Sequence, residues 1–194
     1  MRYKLIALSI ALIALAGCAA FFSPANRSAA ASLQTFAAEP TATPKAVKTK
    51  TVRELTFTNG EFDGQEIVKT DGEWKKILTS AEFYVMREEG TERAYTGSLL
   101  KNKKSGTYHC AACGLVLFAS DAKYESDTGW PSFFRPIYKK NASEKVDKSL
   151  SDERTEVECS RCGAHLGHLF DDGPQPTGLR YCMNSVALKF KAGN

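Results

Sequence analysis

Two short segments constrain this chain more than anything else in it: Cys110-Ala111-Ala112-Cys113-Gly114 and Cys159-Ser160-Arg161-Cys162-Gly163. In each, glycine follows the second cysteine directly, so the backbone can turn tightly behind two thiols aimed at one ion. Two such knuckles make a closed tetrahedral site of four cysteines, the pattern of one structural Zn2+ per chain. Residues 114–158, 45 in all, lie between them. That exceeds the spacing of a compact zinc ribbon, so the ion would clip distant strands together rather than define a finger. Two disulfides are the competing arrangement if the protein is exported to an oxidising compartment. Against them, a Cys-x-x-Cys disulfide closes a tiny loop and gains little chain entropy. A redox-active Cys-x-x-Cys also usually opens a helix in a βαβ setting, which this sequence lacks. Four filled ligand positions leave none for chemistry, so the metal is expected to hold structure and not to catalyse.

The N-terminus carries a second message. Arg2 and Lys4 precede an apolar run, Leu5–Leu15, broken only by Ser9, and Leu15-Ala16-Gly17-Cys18 follows. A cationic start, about ten apolar residues and small residues at the cut describe a secretory signal. The run is shorter than the roughly 20 residues of a transmembrane helix. The quartet resembles a bacterial lipobox, which implies cleavage before Cys18 and acylation of that residue. The expected organisation is a lipoprotein signal peptide over 1–17, a lipidated N-terminus and flexible tether over 18–50, and a folded domain over 51–194. The tether is rich in Ala, Ser, Thr, Pro and Lys. Its thirty-odd residues span roughly 30 Å as coil, although a small packed helix is the other way to read it. Ala19 follows the lipid site rather than aspartate, so the expected address is the bacterial cell envelope, on the outer membrane facing the periplasm if the host has one. The formal charge is +4, or +2 once Arg2 and Lys4 are removed (4 − 2). So small a surplus points to no nucleic-acid partner.

Composition is that of a globular chain, 43% apolar and 25% charged. Thr79-Ser80-Ala81-Glu82 has capping-box spacing and predicts a helix over 81–89, stopped by Gly90, with Phe83 and Met86 on one face. Beyond Gly90, short apolar runs alternate with turn residues: 107–110, 115–118, 132–138, 156–159 and 179–190. The pattern predicts a mainly antiparallel β domain with no βαβ rhythm. The polar stretch 141–152 reads as an exposed loop or hairpin.

Of six cysteines, one remains after the lipid site and the knuckles. Cys182 lies in Leu179-Arg180-Tyr181-Cys182-Met183-Asn184, where strand alternation points Arg180, Cys182 and Asn184 the same way, with Val186, Leu188 and Phe190 continuing the parity. A guanidinium beside a thiol raises its thiolate fraction; a buried structural cysteine is the plain alternative. Two of the three histidines, His165 and His168, fall in His165-Leu166-Gly167-His168-Leu169-Phe170. They could line a polar pocket or donate protons, or be satisfied structural residues. Trp130, between Gly129 and Pro131, could be an exposed wall or part of the core.

Gly129-Trp130-Pro131-Ser132-Phe133, the histidine segment, Asp172-Gly173-Pro174 and Leu179-Arg180-Tyr181-Cys182-x-Asn184, interleaved with the knuckles, closely resemble the B-type methionine sulfoxide reductases over residues 74–190. The Glu88-x-Gly90-Thr91-Glu92 stretch belongs to the same match. The resemblance implies two antiparallel sheets in a tent-like arrangement, with short N-terminal helices and a four-cysteine zinc site. It implies Cys182 as nucleophile, with Arg180 and Asn184 ordering the pocket and tuning the thiolate. It further implies that His165 and His168 bind a water and assist protonation of the sulfoxide oxygen, with Asp172 as their acidic partner. Trp130 is implied as the wall for the substrate methyl, and Phe134 as a second substrate contact. The implied activity is reduction of methionine-R-sulfoxide, free or in oxidised proteins. A thioredoxin-like protein or another thiol would restore the enzyme.

One departure stands out. Many members of that family carry a second, resolving cysteine two residues before the motif tryptophan, and here that residue is Thr128. An intramolecular disulfide then has no partner, and an external thiol is expected to reduce the Cys182 sulfenic acid. The rival functions are a non-catalytic zinc-knuckle binding module, indifferent to loss of Cys182, and a thiol–disulfide exchange protein, which needs a metal-free Cys-x-x-Cys.

Overall fold

The computed structural model describes residues 55–149 and 152–193, all within one unit, Lys48–Asn194. The expected signal peptide, Cys18 and the tether lie outside the described residues.

Among the described residues two capped helices come first, α1 (Asp71–Ile77) and α2 (Ser80–Arg87). Thr70 and Thr79 each accept the N–H of the glutamate three residues on, and Glu73 and Glu82 accept the threonine N–H at 2.8 and 2.9 Å. Each such cap stabilises its helix by about 1 kcal/mol. α2 spans 80–87 rather than the expected 81–89. It stops early because Glu89 takes a left-handed φ of 54°, and the Gly90 N–H bonds back to the Tyr84 carbonyl at 3.0 Å. Phe83 and Met86 are both buried, as their shared face predicts.

The described residues also supply nine strands in two antiparallel sheets: β1 (Gly106–Cys110), β2 (Val116–Ala119), β3 (Lys123–Tyr124), β4 (Ser132–Phe133), β5 (Ala142–Asp147), β6 (Arg154–Cys159), β7 (Ala164–Phe170), β8 (Arg180–Met183) and β9 (Leu188–Ala192). One sheet has the order β2-β1-β9, the other β3-β4-β8-β7-β6-β5. Aromatic side chains join them. Phe118 of β2 stacks on Phe133 of β4 at 4.4 Å, Tyr108 meets the same ring at 5.0 Å, and Tyr181 meets Phe118 at 5.7 Å. Burying each ring contributes about 2–3 kcal/mol, so the seam between the sheets is where the domain gains much of its cohesion.

Two strand expectations need correction. The 132–138 run yields only Ser132–Phe133, after which Ile137 turns across to bond the Leu117 carbonyl. The 179–190 run is two strands, because a 3-10 turn at Ser185–Ala187 carries the chain from the larger sheet to the smaller. Face parity therefore ends at Met183, and Val186, Leu188 and Phe190 do not continue the face of Cys182. The polar 141–152 segment supplies edge strand β5, which forms a hairpin with β6.

Candidate active site and metal centre

Alternation in the larger sheet sends Phe133, Val157, Tyr181 and Met183 into the core. The opposite face is polar. There Tyr124, Ser132, Cys182, His168 and Glu156 stand directly opposite one another in sequence across β3, β4, β8, β7 and β6. Facing side chains in such a row lie roughly 5 Å apart. Cys182 is therefore flanked by a hydroxyl on one side and an imidazole on the other.

Residues three apart fall on opposite faces of a regular strand, yet His165 and His168 share the site face. A bulge makes this possible: Gly167 pairs with Val157 and His165 with Glu158, which leaves Leu166 as the extra residue. The two rings lie 5.3 Å apart, edge to face. The bulge needs Gly167. Its φ is 156°, and a Cβ there would strike the Cys182 carbonyl oxygen. Only glycine lets β7 lie this close to the strand of Cys182.

Each imidazole donates to a carboxylate. His165 Nδ1 lies 2.6 Å from Glu156 Oε1, and His168 Nε2 lies 2.9 Å from Asp147 Oδ2. Asp147 also accepts Arg154 at 2.6 Å and the Ser149 N–H at 2.8 Å. Hydrogen bonds from Ser149 and then His168 hold its carboxyl well below the ordinary range. Burial pushes the His168 imidazole down, which Asp147 only partly offsets. His168 is therefore neutral at pH 7.

Asp172 is not the histidines' partner, contrary to the expectation from the sequence. It holds Arg180 in a two-pronged pair, Nε to Oδ1 and an Nη to Oδ2, both 2.7 Å, and the guanidinium also covers the Phe170 ring at 4.1 Å. Burial raises the Cys182 thiol pKa, and the opposing effects of Thr128, Arg180 and Ser132 do not cancel it. The Thr128 hydroxyl, at the position of the missing second cysteine, lies 3.8 Å from Cys182 Sγ. Ser126 bonds Thr128 at 2.8 Å and Ser132 at 2.7 Å, tying these hydroxyls together.

Asn184 works as a clamp. Its Nδ2 donates to the carbonyl of the bulged Leu166 at 3.1 Å, and its Oδ1 accepts the Glu92 N–H at 3.0 Å. Glu92 in turn accepts the N–H groups of Ser185 and Val186 through its carboxylate, at 2.6 and 3.1 Å, and the Trp130 indole N–H through its backbone carbonyl at 3.0 Å. Trp130 is half-buried and lines a cavity of about 190 Å³ together with Tyr95, Leu100, Tyr124, Ser126 and Gly129. The Tyr124 hydroxyl, unmarked by the sequence analysis, is buried and, among the described residues, has no hydrogen-bond partner. Phe134 bonds Ala122 and Thr177 through its backbone, and its ring faces Arg135 at 5.6 Å.

The four knuckle thiols converge as their spacing predicts. All four sulfurs lie within 4.8 Å of one another, with Cys110–Cys162 at 3.7 Å and Cys113–Cys159 at 3.5 Å. Tetrahedral thiolates at about 2.3 Å from an ion stand about 3.8 Å apart, so the cluster can hold a metal. All four are free thiols, and the two cross-knuckle separations lie well beyond the roughly 2.05 Å of an S–S bond. Gly114, at φ 79°, turns the first knuckle where a Cβ would strike the Thr56 carbonyl. Because β1 and β6 belong to different sheets, the cluster joins the two sheets at one end.

A family profile described as the SelR domain matches residues 78–192. The chain is 56% identical over 126 residues to the peptide methionine sulfoxide reductase MsrB of Leptospira interrogans serogroup Icterohaemorrhagiae serovar Lai, covering 65% of this chain and 96% of that protein. It is 55% identical over 125 residues to the MsrB of Methanosarcina barkeri, covering 64% and 88% of the two chains. With the MsrB of Hahella chejuensis the figure is 49% over 129 residues, covering 66% and 93%.

Proposed function

Because the chain belongs to the SelR-domain family of peptide methionine sulfoxide reductases, the MsrB proteins, we propose that Cys182 performs its reduction by attacking the sulfur of methionine-R-sulfoxide. The oxidoreductase class follows from the family; the residue roles are our reading. The observation that carries it is the row that sets Cys182 between Ser132 and His168, with His165 brought to the same face by the bulge.

A sulfoxide sulfur is a poor electrophile until its oxygen is protonated, and the resting Cys182 thiol still holds a proton. The histidine pair meets both needs, taking the thiol proton as the sulfur attacks and delivering it to the sulfoxide oxygen. Oxygen passes from the methionine sulfur to Cys182. The substrate is reduced by two electrons, and Cys182 is oxidised to a sulfenic acid. Arg180, fixed by Asp172, orients the pocket, and Asn184 holds the strand end. Trp130 receives the substrate methyl, with Phe134 as a second substrate contact. An aromatic wall for methyl and polar groups for oxygen accept one hand of a chiral sulfur.

With Thr128 in place of a second cysteine, an external thiol condenses with the sulfenic acid, releasing water, and a further thiol frees Cys182. Thioredoxin-like proteins and small thiols both fit that chemistry. Cys110, Cys113, Cys159 and Cys162 hold a structural Zn2+, which supplies cohesion and no reaction step. The sequence of residues 1–50 supports a lipid anchor at Cys18 and a place in the cell envelope, where oxidised proteins are the accessible substrate. A stereospecific assay on R and S sulfoxides tests the reading. The R form is reduced by wild type and not by Cys182→Ser; equal reduction of both forms overturns it.

A further inference from the structure

The two site histidines meet their carboxylates through different nitrogens: His165 donates from Nδ1 to Glu156, and His168 from Nε2 to Asp147. What remains for a substrate therefore differs. It is Nε2 on His165 and Nδ1 on His168. The His165 Nε2 is buried and, among the described residues, has no hydrogen-bond partner. A buried polar atom left bare in this way marks a place that something else fills. Glu156 is 3% and His165 2% exposed, so water cannot readily exchange the roles of the two ring nitrogens. An isolated imidazole prefers its proton on Nε2, and the buried carboxylate imposes the reverse.

We infer that Glu156 is a positioning residue for the reduction: it locks His165 with the proton on Nδ1 and offers the bare Nε2 to the site, while Asp147 locks His168 in the opposite tautomer. Two rings 5.3 Å apart then present one lone pair each, from different ring positions. That is an acceptor set suited to receive the Cys182 proton and pass it to the sulfoxide oxygen. The proton leaves Sγ, rests on imidazole and ends on oxygen, with no electron moved in the transfer. Lys145, 3.9 Å from Glu156 and 3.7 Å from Glu158, keeps a cation beside the carboxylate. The inference rests on the proposed roles of Cys182 and the histidines. It adds two residues, from β5 and β6, that none of the sequence motifs contains.

Long-range 1H–15N correlation spectra of the full chain read the tautomers without substrate. The expected wild-type pattern is a protonated Nδ1 and bare Nε2 for His165, and the reverse for His168. In Glu156→Ala the His165 pattern inverts. There kcat falls about 100-fold with KM nearly constant, the low end of what a positioned proton-transfer group contributes. Glu156→Gln keeps a carbonyl acceptor for Nδ1–H and restores most of kcat. A wild-type His165 protonated on Nε2, or a Glu156→Ala protein that retains both pattern and kcat, overturns the inference. Metal content and amide dispersion verify folding, and if the alanine variant does not fold, the wild-type spectrum decides alone. Cys182→Ser is assayed in parallel: activity surviving that change would sink the proposed function while leaving the tautomer result intact.

Discussion

The two thiol regions of this domain contrast in what surrounds sulfur. At the knuckles, each thiol has three others for neighbours, all within 4.8 Å, at the end where the two sheets meet. At Cys182 the neighbours are hydroxyls, an imidazole and an engaged guanidinium on one face of a single sheet. The first arrangement saturates sulfur with ligand geometry, and its product is stability. The second leaves sulfur half-buried beside an imidazole and hydroxyls, the setting of the reactivity proposed for it. Thiol chemistry here is set by the shell, not by the residue.

The sharpest way to break this contrast is to take away the metal proposed for the knuckles. Chelation, or Cys159→Ser, is expected to cost on the order of 10 kcal/mol and so to abolish cooperative unfolding. Calorimetry showing an unchanged transition would mean that the knuckles are not structural. Next in size, Cys182→Ser is expected to lower kcat/KM by about 10³-fold or more, with zinc content and melting temperature kept. A fall in melting temperature comparable to metal loss would merge the two regions into one. Smaller again, Asp172→Asn weakens the grip on Arg180. A charge-assisted bond of this kind is worth about 1.5 kcal/mol or more, so about a tenfold loss in kcat/KM should follow, measurable in steady state.

The smallest effect concerns the thiol's proton. Because burial raises the Cys182 pKa, its thiolate fraction at neutral pH lies below that of an ordinary thiol. Alkylation by iodoacetamide should accelerate as pH rises, with a midpoint above the ordinary value. Thr128→Val removes a group that favours the thiolate and should move that midpoint further up. A midpoint below the ordinary thiol value would show the guanidinium prevailing over burial.

Much of the fold was legible because its signals are local. The Thr79–Glu82 cap, the knuckle glycines and the alternating runs each act within a few residues, and the second helix and most strands follow from them. α1 escaped notice because only Trp74 and Ile77 are apolar within it, too few to show a period. In the candidate site, residue type and motif singled out Cys182 and the histidines. Their geometry could not be read that way. A three-residue spacing on a strand argues against a shared face, and nothing at Leu166 announces a bulge. The carboxylate partners were misassigned for a similar reason. Asp172 is close in sequence to His168, but Glu156 and Asp147 are brought in by hairpin pairing from 9 and 21 residues away. Arg180 favours the thiolate as strand parity suggests, but parity does not show how deeply the sulfur is buried, and burial outweighs it.

Glu92 has a further consequence for how such a chain can diversify. Its carboxylate grips the turn after Cys182, and its carbonyl grips the Trp130 indole. Loop growth is therefore tolerated only where it leaves this residue in place. Insertions in the exposed stretch at 101–105 extend the periphery, whereas one added residue between Gly90 and Glu92 would pull Trp130 and the strand of Cys182 out of register together. Lineages of this domain should differ in length on the far side of that staple and stay fixed on the near side.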